Sequence, residues 1–221
     1  MKNVFTADRP CALFEHGTGG PVILWGTSDP FSMQSAAETA AALCSDAPFT
    51  LLAYPAASWN DDFSPWPAPP VFGKDGFAGH AQETLHWLTD CCLPALPDGP
   101  KLIGGYSLAG LFSLWALYTC SAFQGACSCS GSLWYPGWSD FARNHHAPQD
   151  SIVYLSLGDR EEKTRSRTMA AVGDATRRQN ALLQDDPAIR ESVLVWHPGG
   201  HFDQPGRRMA EGIAWLARRC T

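Results

Sequence analysis

Gly105-Tyr106-Ser107-Leu108-Ala109-Gly110 is the stretch of this sequence that decides the fold. Residues 101–106 are typical of a short buried strand, and residues 108–118 are apolar on nearly every face, which predicts a buried helix. A serine at the tip of a tight strand-to-helix turn has a strained backbone, so the positions two before and two after it must be small. Those positions hold glycine and alanine here. The pattern alone is common by chance, but the strand before it and the helix after it predict a nucleophile elbow with Ser107 at its tip.

Length and charge limit the classes of function. The 221 residues fit one domain, 1–221, and are enough to bury a sizeable core. The formal net charge of -6 argues against a nucleic-acid or anionic-membrane partner. The amino terminus lacks an apolar stretch of signal-peptide length, and nowhere do about eighteen uncharged apolar residues run together. We therefore expect a cytoplasmic protein.

Strand-like and helix-like segments alternate along the chain. The predicted strands are 11–15, 21–25, 49–54, 101–106, 125–130, 151–157 and 192–197. The predicted helices are 32–44, 77–93, 108–118, 164–184 and 204–219, and Pro94 is expected to end the second of them. This alternation predicts an α/β fold, a mostly parallel sheet with helices on both faces in a three-layer sandwich, with reactive residues at the carboxyl ends of strands.

Two local patterns add detail to this architecture. The glycine-rich segment 16–20 predicts a hairpin turn that joins the first two strands. Three arginine pairs, at 177–178, 207–208 and 218–219, lie in helix-like segments with acidic or apolar neighbours. We interpret these pairs as solvated helix faces.

The cysteine spacing does not indicate a metal site. Eight cysteines are present, but Cys91-Cys92 and Cys127-x-Cys129 lack the two-residue gap of a metal knuckle. A disulfide framework belongs to short secreted chains, so most thiols are expected to be buried and reduced. The sequence predicts no metal and no cofactor.

A serine nucleophile needs a base within hydrogen-bond reach and a third group that orients the base. Of seven histidines, His201 is favoured because it follows the last predicted strand, in the chain order serine, acid, histidine that elbow-containing hydrolases use. His197 is the alternative, as an edge or packed residue of that strand. The spacing His197-x-x-x-His201 also imitates a metal motif, but Pro198-Gly199-Gly200 precludes the helix which that motif requires.

The orienting acid is expected directly after the strand 151–157. Asp159, Glu161 and Glu162 all lie there, and their position alone does not choose among them. Aspartate is the commoner triad acid, whereas Glu161 lies where a turn begun at Gly158 would return toward the sheet edge. The remaining carboxylates would be solvated or would cap the following helix.

Two backbone amides are expected to stabilise a developing oxyanion. One is the amide of Leu108, and the other comes from the loop after an earlier strand, where Gly26-Thr27-Ser28 makes Thr27 the candidate.

A long proline-rich connection, 55–76, should lie over the serine because it leaves the carboxyl end of a strand next to the elbow strand. It contains Trp59 and Trp66, and this aromatic content favours an ordered cover. With Tyr106, Trp134 and Tyr135, these side chains are candidates for substrate binding, although packing at the sheet edge is the commoner role of tryptophan.

The chain resembles the esterase branch of the α/β-hydrolase superfamily, which includes esterase D-like and siderophore-esterase-like proteins. The residues that carry the resemblance are Gly104-Gly105-Tyr106-Ser107-Leu108-Ala109-Gly110-Leu111-Phe112, Ser130-Gly131-Ser132-Leu133-Trp134-Tyr135, Leu157-Gly158-Asp159-Arg160-Glu161 and Gly199-Gly200-His201. The resemblance implies ester hydrolysis through an acyl-serine, with Ser107 as nucleophile and His201 as base. The acid of this branch commonly falls third after the turn glycine, which favours Glu161. The sequence departs from the pattern in Ala109, which replaces the usual second glycine of the elbow, and in having no large lid domain.

The leading hypothesis is therefore a serine hydrolase that cleaves a carboxylic ester of a small molecule. An acyltransferase or thioesterase would use the same residues, and a third hypothesis is a hydrolase fold retained as a catalytically incompetent binding module. The natural substrate is left open, and so is the oligomeric state, with a homodimer among the options.

Overall fold

Eight strands form one sheet in the computed structural model, which describes residues 2–6, 9–71 and 73–220. The strands are β1 (Lys2–Thr6), β2 (Arg9–His16), β3 (Val22–Thr27), β4 (Phe49–Pro55), β5 (Lys101–Tyr106), β6 (Gly125–Cys129), β7 (Ser151–Gly158) and β8 (Ile189–His197). Their order across the sheet is β1-β2-β4-β3-β5-β6-β7-β8. Pairs β1–β2 and β2–β4 are antiparallel, and the other neighbouring pairs are parallel.

Helices cover both faces of this sheet. The α-helices in the described ranges are α1 (Gln34–Leu43), α2 (Trp59–Asp62), α3 (Ala81–Trp87), α4 (Leu108–Thr119), α5 (Trp138–Arg143), α6 (Arg167–Ala170), α7 (Val172–Asp185) and α8 (Pro205–Arg219). α1 and α8 pack on one face, whereas α3, α4 and α7 contribute to the core on the other face. Successive strand side chains point to opposite faces, so Ile23 and Leu24 enter different cores. The predicted three-layer α/β architecture is confirmed.

The glycine-rich segment does not form the predicted hairpin, because β4 lies between β2 and β3. The connection instead passes the amino end of β4, where a Cβ on Gly20 would lie 2.1 Å from the carbonyl oxygen of Pro48. Gly20 also has a φ of +77, a conformation that favours glycine. A local turn pattern indicates that the chain bends there. It does not indicate that β4, which follows α1 in the chain, will lie between β2 and β3 in the sheet.

Two predicted helices differ in extent from the observed ones. The segment 77–80 stays outside α3, because Phe77 forms a β-bridge with Ala68 and Gly79 has a φ of +84. The predicted helix 164–184 is divided into α6 and α7, with Ala171 between them. No helix within the described ranges is long and apolar enough to cross a membrane.

Candidate active site

Ser107 occupies the sharp turn between β5 and α4. Its φ of 58° and ψ of -120° are a strained conformation for a residue with a side chain. The turn is tight, since a Cβ on Gly105 would lie 2.5 Å from the carbonyl carbon of Ala109. Ala109 is accommodated because Gly105 has no side chain. The amide of Ser107 donates to the carbonyl of Cys129 (3.0 Å), which ties the strained turn to β6.

Ser107, His201 and Glu161 form a continuous hydrogen-bonded chain. The Oγ of Ser107 lies 3.1 Å from Nε2 of His201, and Nδ1 of His201 lies 2.7 Å from Oε2 of Glu161. An ionised carboxylate only accepts hydrogen bonds, so the proton of a neutral His201 belongs on Nδ1. Nε2 is then the acceptor for the Ser107 hydroxyl.

Glu161 is 8% exposed, and its other oxygen is also occupied. Oε1 accepts from Ser130 Oγ (2.7 Å), from the amide of Gly158 (2.8 Å) and from Nη1 of Arg208 (2.7 Å). Burial by itself would raise the pKa of Glu161, but the hydrogen bonds from His201, Ser130 and Gly158 outweigh burial and lower it. Glu161 is thus held in its charged form.

The alternative acids and the alternative base have other partners. Asp159 accepts from the amide of Gly199 (2.8 Å), and Glu162 pairs with the guanidinium of Arg177. His197 faces Glu211, with 3.8 Å between Nδ1 and the nearest carboxylate oxygen. Burial lowers the pKa of His197. Of the predicted candidates, the structure brings Glu161 and His201 to Ser107.

The two predicted oxyanion donors differ in their surroundings. The amide of Leu108 is the first of α4 and has no acceptor within that helix. Thr27 pairs with Pro55 of β4, and its carbonyl accepts from the amide of Ala56. The amide and carbonyl of one strand residue point to the same side, so the Thr27 amide also faces β4 and not the elbow strand. The amide of the next residue, Ser28, donates no hydrogen bond within the described part of the chain.

A cleft of about 820 Å³ opens beside Ser107. Its apolar walls are formed by Trp59, Phe77, Trp134, Met169, Val172 and Phe202. Arg160 and Lys163 also line the cleft, and the one carboxylate among its described lining residues, Glu161, is committed to His201 and Arg208. The cleft therefore combines aromatic walls with positive charge.

Trp66 and Tyr135 do not line this cleft, contrary to the expectation from sequence. Tyr135 is 2% exposed, and its hydroxyl donates to the carbonyl of Trp66 (2.6 Å). The indole Nε1 of Trp66 in turn donates to the carbonyl of Pro136 (2.8 Å). These two rings fasten the connection between β4 and α3 to the segment after β6. Trp59, from the same connection, does line the cleft.

Tyr106 lines the cleft, but its hydroxyl is used inside the protein. It donates to the carbonyl of His201 (2.6 Å), and the ring centroids of Tyr106 and His201 are 5.3 Å apart. Burial raises the pKa of Tyr106 to about 12, so the hydroxyl keeps its proton at neutral pH.

Sequence reasoning did not identify Ser130 and Arg208 as parts of the site. Arg208 was interpreted as one of a solvated pair, which is wrong, because it is 1% exposed. A helical repeat could have revealed it, since Arg208 shares a face of α8 with the buried residues Gly212 and Leu216. Ser130 has a φ of +46, and no sequence pattern signals that conformation.

Comparisons with known proteins add to this geometry. No protein-family model matches the chain, and no curated protein sequence matches it significantly. Among solved structures, the chain is similar to the siderophore hydrolase EstA from Aspergillus nidulans, with 17% identity over 97% of this chain and 96% of that chain and a TM-score of 0.70. An IroE-like serine hydrolase from Shewanella oneidensis gives 14% identity over 95% and 76%, with a TM-score of 0.78. The enterobactin esterase FES from Shigella flexneri gives 17% over 96% and 56%, with a TM-score of 0.67.

These identities are low, so the similarity establishes the fold alone. The chain has the α/β-hydrolase fold. The similar structures named here are a siderophore hydrolase, a serine hydrolase and an enterobactin esterase, and the sequence motifs resemble siderophore-esterase-like proteins.

Proposed function

We propose that this protein is a serine hydrolase that cleaves carboxylic esters through an acyl-serine intermediate. The observation that carries the proposal is the hydrogen-bonded chain from Ser107 through His201 to Glu161, at 3.1 Å and 2.7 Å. In this reaction Nε2 of His201 takes the hydroxyl proton while Ser107 Oγ attacks the ester carbonyl. His201 then gives the proton to the leaving alcohol, and water hydrolyses the acyl-serine in the reverse sense. Glu161 stabilises the transient imidazolium.

The oxyanion of the tetrahedral intermediate needs donors beside Ser107. We propose the amide of Leu108 as the first. For the second, the engagement of Thr27 with β4 favours the amide of Ser28, which follows β3 at the carboxyl edge of the sheet.

The chemistry of the cleft supports an ester with two features. Its walls, with Trp59, Trp134 and Phe202, suit a planar or aromatic group. Lys163 and Arg160 favour a substrate that carries negative charge, although Arg160 is shared with Asp203 at 3.6 Å. A ferulic acid esterase has a similar structure, with 12% identity and a TM-score of 0.64, and ferulic acid is an aromatic acid; this similarity agrees with an aromatic acid as part of the substrate.

A panel of chromogenic esters tests the proposed reaction. We expect turnover of aryl esters, with acid and alcohol released in equal amounts, and a transient mass increase of one acyl group on the peptide that contains Ser107. Transfer of the acyl group to an added alcohol or amine in preference to water would identify an acyltransferase instead. An absence of turnover and of acylation across the panel would refute the hydrolase.

The charge preference is tested with two esters of matched size, one with a carboxylate and one with a neutral amide on the acyl group. Lys163→Glu should raise KM for the anionic ester about fivefold, because Lys163 is exposed and its effect is screened by solvent. KM for the neutral ester should stay the same. Arg178→Glu makes the same charge change on the exposed face of α7, outside the cleft lining, and is the control. Equal effects of the two variants on the anionic ester would contradict a specific role of Lys163.

A further inference from the structure

Arg208 is a buried cation directly behind the candidate active site. It lies in the first turn of α8 and is 1% exposed. Its Nη1 lies 2.7 Å from Oε1 of Glu161, whereas His201 contacts the other oxygen of that carboxylate. Arg208 and His201 thus hold the two oxygens of Glu161 separately.

The guanidinium also joins the chain segments that carry the site. Nη1 lies within hydrogen-bond distance of Ser130 Oγ (2.9 Å) and of the Tyr106 hydroxyl (3.2 Å). Nη2 donates to the carbonyl of Gly200 (2.8 Å), directly before His201, and lies 3.5 Å from that of Pro198. Arg208 therefore contacts the ends of β5 and β6 and the loop after β8, in addition to the acid after β7.

Tyr106 gives Arg208 a second connection to His201. The hydroxyl of Tyr106 accepts from Arg208 and donates to the carbonyl of His201. Both the carbonyl before His201 and the carbonyl of His201 itself are consequently held by a network that starts at one guanidinium. The position of the imidazole along its loop depends on this network.

A buried charge is costly, and well-packed apolar residues in place of a buried ion pair are often as stable or more stable. Stability alone is therefore a weak reason for Arg208 to be an arginine. The contacts of Arg208 with Glu161 and with the loop before His201 indicate a role in the active site. We propose that Arg208 is a positioning residue: it holds Oε1 of Glu161 so that Oε2 faces His201, and it holds the His201 loop at hydrogen-bond distance from Ser107. This inference rests on the proposed hydrolase function for its kinetic consequences, but not for its structural ones.

Several titratable or charged groups surround Arg208 and bear on its pH dependence. On the cleft side they are Glu161, Tyr106 and, through Glu161, His201; on the other side His197, Arg207 and Glu211 line a second cavity of about 240 Å³ with it. Because burial lowers the pKa of His197, this imidazole is neutral at neutral pH. Arg207 is mostly exposed and pairs with Glu211 (2.9 Å).

Three variants distinguish the effect of the charge of Arg208, the effect of its hydrogen-bond geometry and the effect of any nearby positive charge. Arg208→Met removes the charge with little loss of volume, and Arg208→Lys keeps the charge but loses the forked geometry. Arg207→Met removes the adjacent positive charge without touching Glu161, and serves as the matched control. Two readouts are compared across pH: kcat/KM for an aryl ester, and the downfield proton resonance of Nδ1–H of His201, assigned with His201→Gln.

We expect Arg208→Met to lower kcat about 100-fold, as a displaced base does. The acid limb of its kcat/KM profile should move up by about one pH unit, because the loss of a cation 2.7 Å from Glu161 favours the protonated state of the hydrogen-bonded pair of His201 and Glu161. The pH at which the Nδ1 resonance disappears should rise with it. Arg208→Lys should lower kcat about tenfold with little change in KM and leave the acid limb in place. Arg207→Met should match the wild type in both readouts.

The outcomes distinguish this inference from the proposed function. A wild-type kcat and acid limb in Arg208→Met would overturn the positioning role, and so would a lowered kcat with an unmoved acid limb and an unmoved resonance. If Arg208→Met does not fold, an unchanged kcat in Arg208→Lys overturns it. If the wild type turns over no ester, the hydrolase proposal fails. The inference is then decided by the Nδ1 resonance alone: loss or shift in Arg208→Met supports it, and an unchanged signal refutes it.

Discussion

Ser107→Ala is expected to abolish ester turnover, with a loss in kcat on the order of 10⁵-fold to 10⁶-fold, as for loss of the nucleophile in known serine hydrolases. The reason is chemical: alanine has no oxygen that could form the acyl intermediate. The elbow itself should persist, since Cβ is retained and the amide of Ser107 still reaches the carbonyl of Cys129. A fluorophosphonate probe should label the wild type and leave the variant unlabelled.

The labelled residue must be identified by peptide mapping, because a second serine, Ser132, lies next to Ser107. Ser132 Oγ lies 3.4 Å from Ser107 Oγ and also lines the cleft. Peptide mapping should place the whole label on Ser107, the serine whose oxygen His201 reaches. Ser121→Ala, an exposed serine in the turn after α4, is the control and should react as the wild type does. Labelling of Ser107→Ala at the wild-type rate would refute Ser107 as the nucleophile.

The sequence was sufficient to predict those parts of the fold that depend on steric contacts between residues close in the chain. β5 and the start of α4 occur at the predicted residues, because a tight strand-to-helix turn at Ser107 requires Gly105 before it. The architecture followed from alternating strands and helices, since short connections leave few arrangements.

The parts that depend on distant partners could not be predicted. The place of β4 between β2 and β3 is set by the sheet as a whole, and the turn residues 16–20 contain no information about it. The burial of Arg208 depends on Glu161, 47 positions away, and an arginine pair in a helix is ordinarily a solvated feature. Trp66 resembles a cleft residue in sequence, but its partner Pro136 holds it elsewhere.

Which of the three carboxylates after β7 orients the base also depends on distant partners. Asp159, Glu161 and Glu162 are consecutive or nearly so, and the turn after β7 sends each toward a different partner. The resemblance to the esterase branch favoured Glu161, but the physical reason for that choice is the position of His201 in space, 40 positions away in the sequence.

His201→Ala is the second prediction with a very large effect, and we expect kcat to fall by at least about a thousandfold. Without the imidazole, Ser107 has no acceptor for its proton and the leaving alcohol has no donor. His197→Gln is the matched control, because His197 ends β8, four residues before His201, but faces Glu211. It should keep turnover within about threefold of the wild type. An equal loss of kcat in the two variants would contradict the assignment of His201 as the base.

The double variant Ser107→Ala with His201→Ala tests whether the two side chains act as one unit. Residues that share a single proton transfer are strongly non-additive, so removing the second should cause no further loss once the first is gone. The hydrogen bond of 3.1 Å between Ser107 Oγ and His201 Nε2 is the physical basis for this expectation. Residual hydrolysis in the double variant should therefore equal that of Ser107→Ala, measured as kcat on the same aryl ester. If the loss of kcat in the double variant were the product of the losses in the two single variants, Ser107 and His201 would act independently. That result would refute proton transfer between them.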